Sequence, residues 1–256
     1  MILEDPLLIG LLIAAFMAGG MDAVVGGGGL IQIPALFSAY PAQGAATLFG
    51  TNKCASIIGT SSAAWSYLKQ VSVPWKTVFP AASAAFLCSF LGAMVVAWLP
   101  KETLRPLLLV LLIFSALYTL RKPDFGHQHQ PIYQGRQEIF LALGLGAVIG
   151  FYDGFFGPGT GSLLIFVFIR FFGFDFLHAS ASAKLVNVAT NFAALLYFLP
   201  QGHILPLLAG LMAICNLTGA QIGVKLALRY GNAFIRKLFL ISVTLLFIRF
   251  AWDTFQ

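Results

Sequence analysis

The sequence predicts an all-α polytopic membrane protein made of two inverted-topology repeats of about five helical segments each, with short, re-entrant broken helices at glycine-rich motifs. Three observations carry this prediction. Of 256 residues, 59% are hydrophobic and 9% charged, against roughly 25% charged in soluble domains. Apolar runs recur from end to end, each near the roughly 20 residues that a hydrocarbon core of about 30 Å asks of a helix. Rare polar residues also recur at one spacing of 131: Asp22 and Asp153, Gly26 and Gly157, Gly28 and Gly159, Lys53 and Lys184, Gln70 and Gln201, Gly92 and Gly223, Arg105 and Arg236. Apolar coincidences would mean little in such a chain, but charged ones at a constant offset mark the internal symmetry of secondary transporters.

The elements follow the repeat. The first half, residues 1–120, holds segments near 6–24, 29–40, 46–68, 75–99 and 103–120. The second half, 139–256, repeats them near 139–155, 161–172, 178–199, 205–229 and 233–251. Between them "RKPDFGHQHQPIYQGRQE", residues 121–138, is too charged and too rich in Pro and Gly for hydrocarbon. The opening "MILEDPLLIG" lacks the basic start of a cleaved signal peptide, so the first helix is expected to stay. The second segment is short: Leu30 to Tyr40 spans about 16 Å of helix, roughly half the hydrocarbon thickness. It either leans on its neighbours at the periphery or turns back with segment one at mid-membrane; the re-entrant form is the expectation adopted.

Each half crosses an odd or an even number of times. An odd count puts Lys69, Lys76, Arg121, Lys122, Arg136, Arg170, Lys225, Arg229, Arg236 and Lys237 on one side and Lys101, Arg105 and Arg249 on the other. An even count divides the same residues almost equally. Lys/Arg bias sets orientation, so the repeats are expected to be inverted, with both termini outside and the central loop cytoplasmic. The net charge of +6 then belongs to cytoplasmic loops, and no nucleic-acid partner is expected.

Two features carry the chemistry. "DAVVGGGG" (22–29) and "DGFFGPGTG" (153–161) read as helix breaks, where glycine admits backbone angles closed to other residues and Pro158 removes a donor. A helix restarting at Leu30 or Ser162 aims unpaired N–H groups and a partial positive charge into the break, which suits an anion. Tight helix packing by small residues competes with that reading. The second feature is "TNKCASIIGT" (51–60) with "SAKLVNVATN" (182–191). Lys53, Ser56 and Thr60 share one helical face, as do Lys184, Asn187 and Asn191. A Lys at the bilayer centre costs about 2.5–3.5 kcal/mol, and such residues are functional by default. The alternative is that Lys53 and Lys184 only neutralise Asp22 and Asp153. Pairing at rest and anion binding are compatible: an anion competing for the Lys would free a carboxylate to take up a proton.

The remaining polar residues say less. Cys54, Cys88 and Cys215 are widely spaced in apolar segments and read as buried small side chains, with no metal or disulfide spacing. His127 and His129 fall in the central loop and His203 in an outer one; His178 precedes Lys184 by under two turns and could edge the site. Trp65, Trp75, Trp98 and Trp252 fall near helix ends, where interfacial aromatics belong.

With "GGMDAVVGGGGLIQIPAL", "ATLFGTNK", "GAVIGFYDGFFGPGTGSLL" and "ASAKLVNVATN", the chain resembles the sulfite exporter TauE/SafE (TSUP) family of membrane permeases over nearly its whole length. The resemblance implies transport of a small sulfur-containing anion, such as sulfite, thiosulfate or an organosulfonate, across a bacterial or archaeal cytoplasmic membrane. It carries the family's motif residues onto Asp22, Gly26–Gly29, Asn52, Lys53, Asp153, Gly157, Gly159, Lys184, Asn187 and Asn191. The expectation is therefore a secondary transporter working by alternating access. Lys53 and Lys184 would attract the charge, Asn52, Ser56, Thr60, Asn187 and Asn191 would coordinate its oxygens, and the breaks at Gly27, Gly28, Gly29, Gly159 and Thr160 would add donors. Asp22 and Asp153 would be charge partners with a possible role in proton coupling. No cofactor or metal is expected; the partners are the anion and the lipid bilayer, and the chain is a monomer or homodimer. An uncoupled anion channel would use the same cavity. A serine enzyme built on "GTGS" is disfavoured, because the first half has Ile31 where the second has Ser162.

Overall fold

A computed structural model of the chain describes residues 6–98, 132–133 and 135–254, the last stretch by backbone alone at 232, 233, 235, 236 and from 238 onward. Eight α-helices make up these residues: α1 Pro6–Val25, α2 Gly28–Ala39, α3 Ala45–Leu68, α4 Trp75–Trp98, α5 Arg136–Phe155, α6 Thr160–Phe172, α7 Phe176–Phe198 and α8 Pro206–Thr254. The chain is all-α and polytopic, as the composition predicts. The segment expected near 103–120 lies outside the described residues, as does most of the loop 121–138. The two segments expected at 205–229 and 233–251 run on as α8, with a non-helical break at Gly231 (φ 67°).

Among the described residues, four helical stretches are long and apolar enough to cross a membrane: Pro6–Val25, Trp75–Trp98, Arg136–Phe155 and Pro206–Gly231. They turn large apolar side chains outward, among them Phe79, Leu87, Phe140, Val148, Leu207 and Ile214. No polar partner is needed there if the surroundings are lipid. The helices α3 and α7 are as long, but Asn, Thr, Ser and Lys make them more polar, and they are buried instead along most of their length. The short α2 and α6 are also interior; Gln32, Ile33 and Leu36 of α2 and Leu164, Ile165 and Phe168 of α6 are buried. Neither is a peripheral strut.

The packing pairs exchange under the 131-residue shift, which turns α1, α2, α3 and α4 into α5, α6, α7 and α8. The helix α1 packs on α8, and its counterpart α5 packs on α4; α3 meets α8 as α7 meets α4; α3 and α7 meet each other. The closest approaches exchange too. A side chain at Gly19 would overlap the backbone of Asn216, and one at Gly150 would overlap Ala85, which is the residue 131 before Asn216. Small residues at such crossings let backbones touch, where van der Waals packing drives helix association in lipid.

Candidate functional site

Each break falls where a helix has just lost its hydrogen-bond ladder. The helix α1 stops at Val25 because Gly26 takes φ +76°, and α5 stops at Phe155 before Gly157 at φ +93°. These angles are strained for any residue with a side chain. The two breaks lock together: the Ser162 N–H donates to Gly26 O at 3.2 Å, and the Ser162 hydroxyl donates to Val25 O at 2.7 Å. A Cβ on either Gly26 or Gly161 would run into the backbone of the other.

The carboxylates Asp22 and Asp153 occupy the last turns of α1 and α5, where the helix dipole opposes a negative charge. Each is met by the lysine of the other half. Lys53 Nζ on α3 lies 2.8 Å from Asp153 Oδ2 and donates a second bond to Asn191 Oδ1 at 3.2 Å. Lys184 Nζ on α7 lies 3.0 Å from Asp22 Oδ2, off the angle of a hydrogen bond. The Thr60 hydroxyl donates to the same Asp22 oxygen at 3.1 Å. Both ion pairs thus bridge the halves, and the shift of 131 converts one into the other.

Between the pairs lies a cavity of about 380 Å³, counting its mouth, lined by Asp22, Lys53, Asp153 and the polar side chains of Asn52, Ser56, Thr60, Thr160, Asn187 and Asn191. Gly26, Gly29, Gly157 and Gly161 complete the wall. Lys53, Ser56 and Thr60 do share one face turned to this space, as their spacing predicts. Asn52 Oδ1 and Asn187 Oδ1 are buried without a hydrogen-bond partner; turned end for end, either amide would present N–H donors instead. Two lysines and two carboxylates give the cluster a formal charge of zero.

Several expected residues lie elsewhere. Lys184 is fully buried behind Asp22 and does not line the cavity. Of the glycine breaks, Gly27 faces the end of the Met21 side chain, and Gly28 packs on Ala18 O and the Asp22 side chain. Gly159 caps α6 in the left-handed region without lining the cavity. The Ser162 amide, expected to face a ligand, is spent on Gly26. Gly161 is a wall residue that spacing alone would not select, because its counterpart is Leu30; only the packing of one break on the other reveals it. His178 does not edge the site. Its Nδ1 lies 2.9 Å from Asp175, the N-cap of α7, and its Nε2 lies 3.4 Å from Ser72 Oγ.

The Sulfite exporter TauE/SafE family matches residues 11–250. The chain is 38% identical to a "Probable membrane transporter protein ORF9" of Sinorhizobium sp over 251 residues, covering 96% of this chain and 93% of that one. It is 32% identical to "Probable membrane transporter protein YfcA" of Escherichia coli K12 over 98% of this chain and 92% of the relative. A "Probable membrane transporter protein" of Haemophilus influenzae is also 32% identical, over 93% and 92%. No solved structure matches. With a family match from end to end, apolar spanning helices and a buried charged cavity, the chain is a multi-pass membrane transporter, not an enzyme, and it belongs to the Sulfite exporter TauE/SafE family.

Proposed function

We propose that this transporter moves a small sulfur-containing anion, such as sulfite, thiosulfate or an organosulfonate, through the cavity between α1, α3, α5 and α7. The observation that carries the reading is the Lys53 ammonium, which reaches the cavity and among the described residues is held by Asp153 and Asn191. An arriving oxyanion replaces the carboxylate on Lys53 and takes further bonds from Ser56 and the asparagine amides. Lys184 acts through Asp22, whose negative charge it balances at the cavity wall. Charge-assisted bonds of this kind are roughly twice as strong as neutral ones, so the site favours anions over neutral solutes of the same size.

The transport units are the repeats 1–120 and 139–256, joined by a cytoplasmic loop at 121–138, with both termini outside a bacterial or archaeal inner membrane. Inverted repeats that exchange ion pairs make the two gates near-equivalent, which suits alternating access. The test is uptake of labelled sulfite, thiosulfate and methanesulfonate by proteoliposomes. Wild type is expected to move at least one of them, and Lys53→Gln to move it at least about tenfold more slowly, a loss of roughly 1.4 kcal/mol or more of stabilisation. Equal rates in wild type and Lys53→Gln, with the variant folded, would overturn the reading.

A further inference from the structure

The two ion pairs are related by sequence but not held alike. Asp22 keeps two partners, Lys184 and the Thr60 hydroxyl. At the other pair the residue equivalent to Thr60 is Asn191, and it bonds the lysine rather than the carboxylate. Among the described residues Asp153 therefore has Lys53 as its one side-chain partner, and its side chain is 5% exposed. An anion that draws Lys53 into the cavity strips Asp153 of its counter-charge, whereas Lys184 is sealed away from the cavity and stays with Asp22.

Resting on the proposed anion site, we propose that Asp153 is the proton-coupling residue: it takes up one proton as the anion takes Lys53 and releases it when the anion leaves. The balance is simple. One proton from the water of the open side converts the Asp153 carboxylate to a carboxylic acid, no electron moves, and the proton returns to water on the far side. The cluster is formally neutral, so a monovalent anion alone would leave a net negative charge held away from water, which is strongly unfavourable. One proton per monovalent anion restores neutrality.

The surroundings of Asp153 leave few competing groups. Across the cavity α1 offers Asp22 and α3 offers Lys53; Cys54 is the next residue of α3. The helix α7 brings Asn187 and Asn191, with Lys184 beyond Asp22. The helix α4, which packs on α5, carries only Lys76 in its first turn and Cys88 as titratable groups, and it meets this turn through Ser89 and Gly92. On α6 the near residues are Thr160 and Gly161, and Arg170 is at the far end. Tyr152 donates its hydroxyl to Pro158 O at 2.7 Å.

The experiment uses proteoliposomes with the membrane potential clamped at zero and a proton gradient of one unit, acid outside, the probe being whichever of sulfite, thiosulfate and methanesulfonate wild type moves fastest, sulfite being used only with both sides acidic enough to keep it bisulfite. One proton per anion gives about tenfold accumulation, the ratio set by one pH unit. Asp153→Asn is expected to lose this accumulation while labelled anion still exchanges at a measurable rate. In case Asp153→Asn fails to fold, purified wild type in weak buffer is expected to take up about one proton per anion bound, with methanesulfonate as ligand, since it is monovalent and does not change its charge near neutral pH. Downhill movement without accumulation, proton uptake near zero, or gradient-driven accumulation surviving in Asp153→Asn would each overturn the proposal. If wild type moves none of the three anions, the anion-site reading itself fails.

Discussion

Lys53 is the residue on which structure and transport meet, and its two roles can be separated. As half of a buried pair, it leaves an uncompensated carboxylate when removed, and breaking such a pair costs about 3–5 kcal/mol. Lys53→Met is therefore expected to lower the thermal stability of the detergent-solubilised protein markedly. Replacing both partners, as Lys53→Met with Asp153→Leu, removes both charges and restores most of that loss, because apolar replacements of a buried pair are often neutral or better. Transport does not return in the double variant, since no cation is left in the cavity. Melting curves and liposome uptake on the same three proteins check this; a double variant that transports would reduce the pair to scaffolding. The sequence made both lysines and both carboxylates legible, because a rare charge in an apolar chain repeats at 131. It could not say that each lysine crosses to the other half. Nor could it say that Asp22 screens Lys184 from the cavity. Both facts depend on how α1, α3, α5 and α7 pack, and a periodicity reports one helix at a time.

The breaks are elements in their own right, and their glycines are not interchangeable. Gly26 sits at φ +76° against the backbone of Gly161, and neither constraint can relax by rotating a side chain. Gly27, by contrast, has an ordinary φ of −102°, and an added methyl would crowd the movable end of Met21 and rest at ordinary contact distance from the Leu30 side chain. Gly26→Ala is expected to lose most folded protein in the membrane, whereas Gly27→Ala accumulates near the wild-type level and keeps transport; yield and monodispersity after solubilisation measure both. Helix limits were readable to within about three residues, as this break shows: the residues before it are apolar and periodic, and the glycines stop them. The contact of one break with the other was not readable. A run of four glycines says that close approach is allowed, and only the fold says that Gly26 is the one that meets Gly161.

At the scale of the whole molecule, the exchange of ion pairs and helix contacts between halves has a consequence for orientation. Two halves that each cross the membrane an odd number of times and are related by an axis in the bilayer plane put equivalent loops on opposite sides; a parallel duplication puts them on the same side. Gln70 and Gln201 are equivalent by the 131-residue shift, both lie in turns that follow a long helix, and both are exposed. Their neighbourhoods differ in charge as the inverted arrangement requires. Lys69 and Lys76 flank the first, while "LPQGHILP" around the second has no Lys or Arg, and basic loops stay cytoplasmic. In a background without Cys54, Cys88 and Cys215, a membrane-impermeant maleimide applied to intact cells is expected to modify Gln201→Cys and not Gln70→Cys, and inverted vesicles should reverse the result. Modification of both from one side would make the repeats parallel, and the two gates could then no longer be one structure seen from opposite faces.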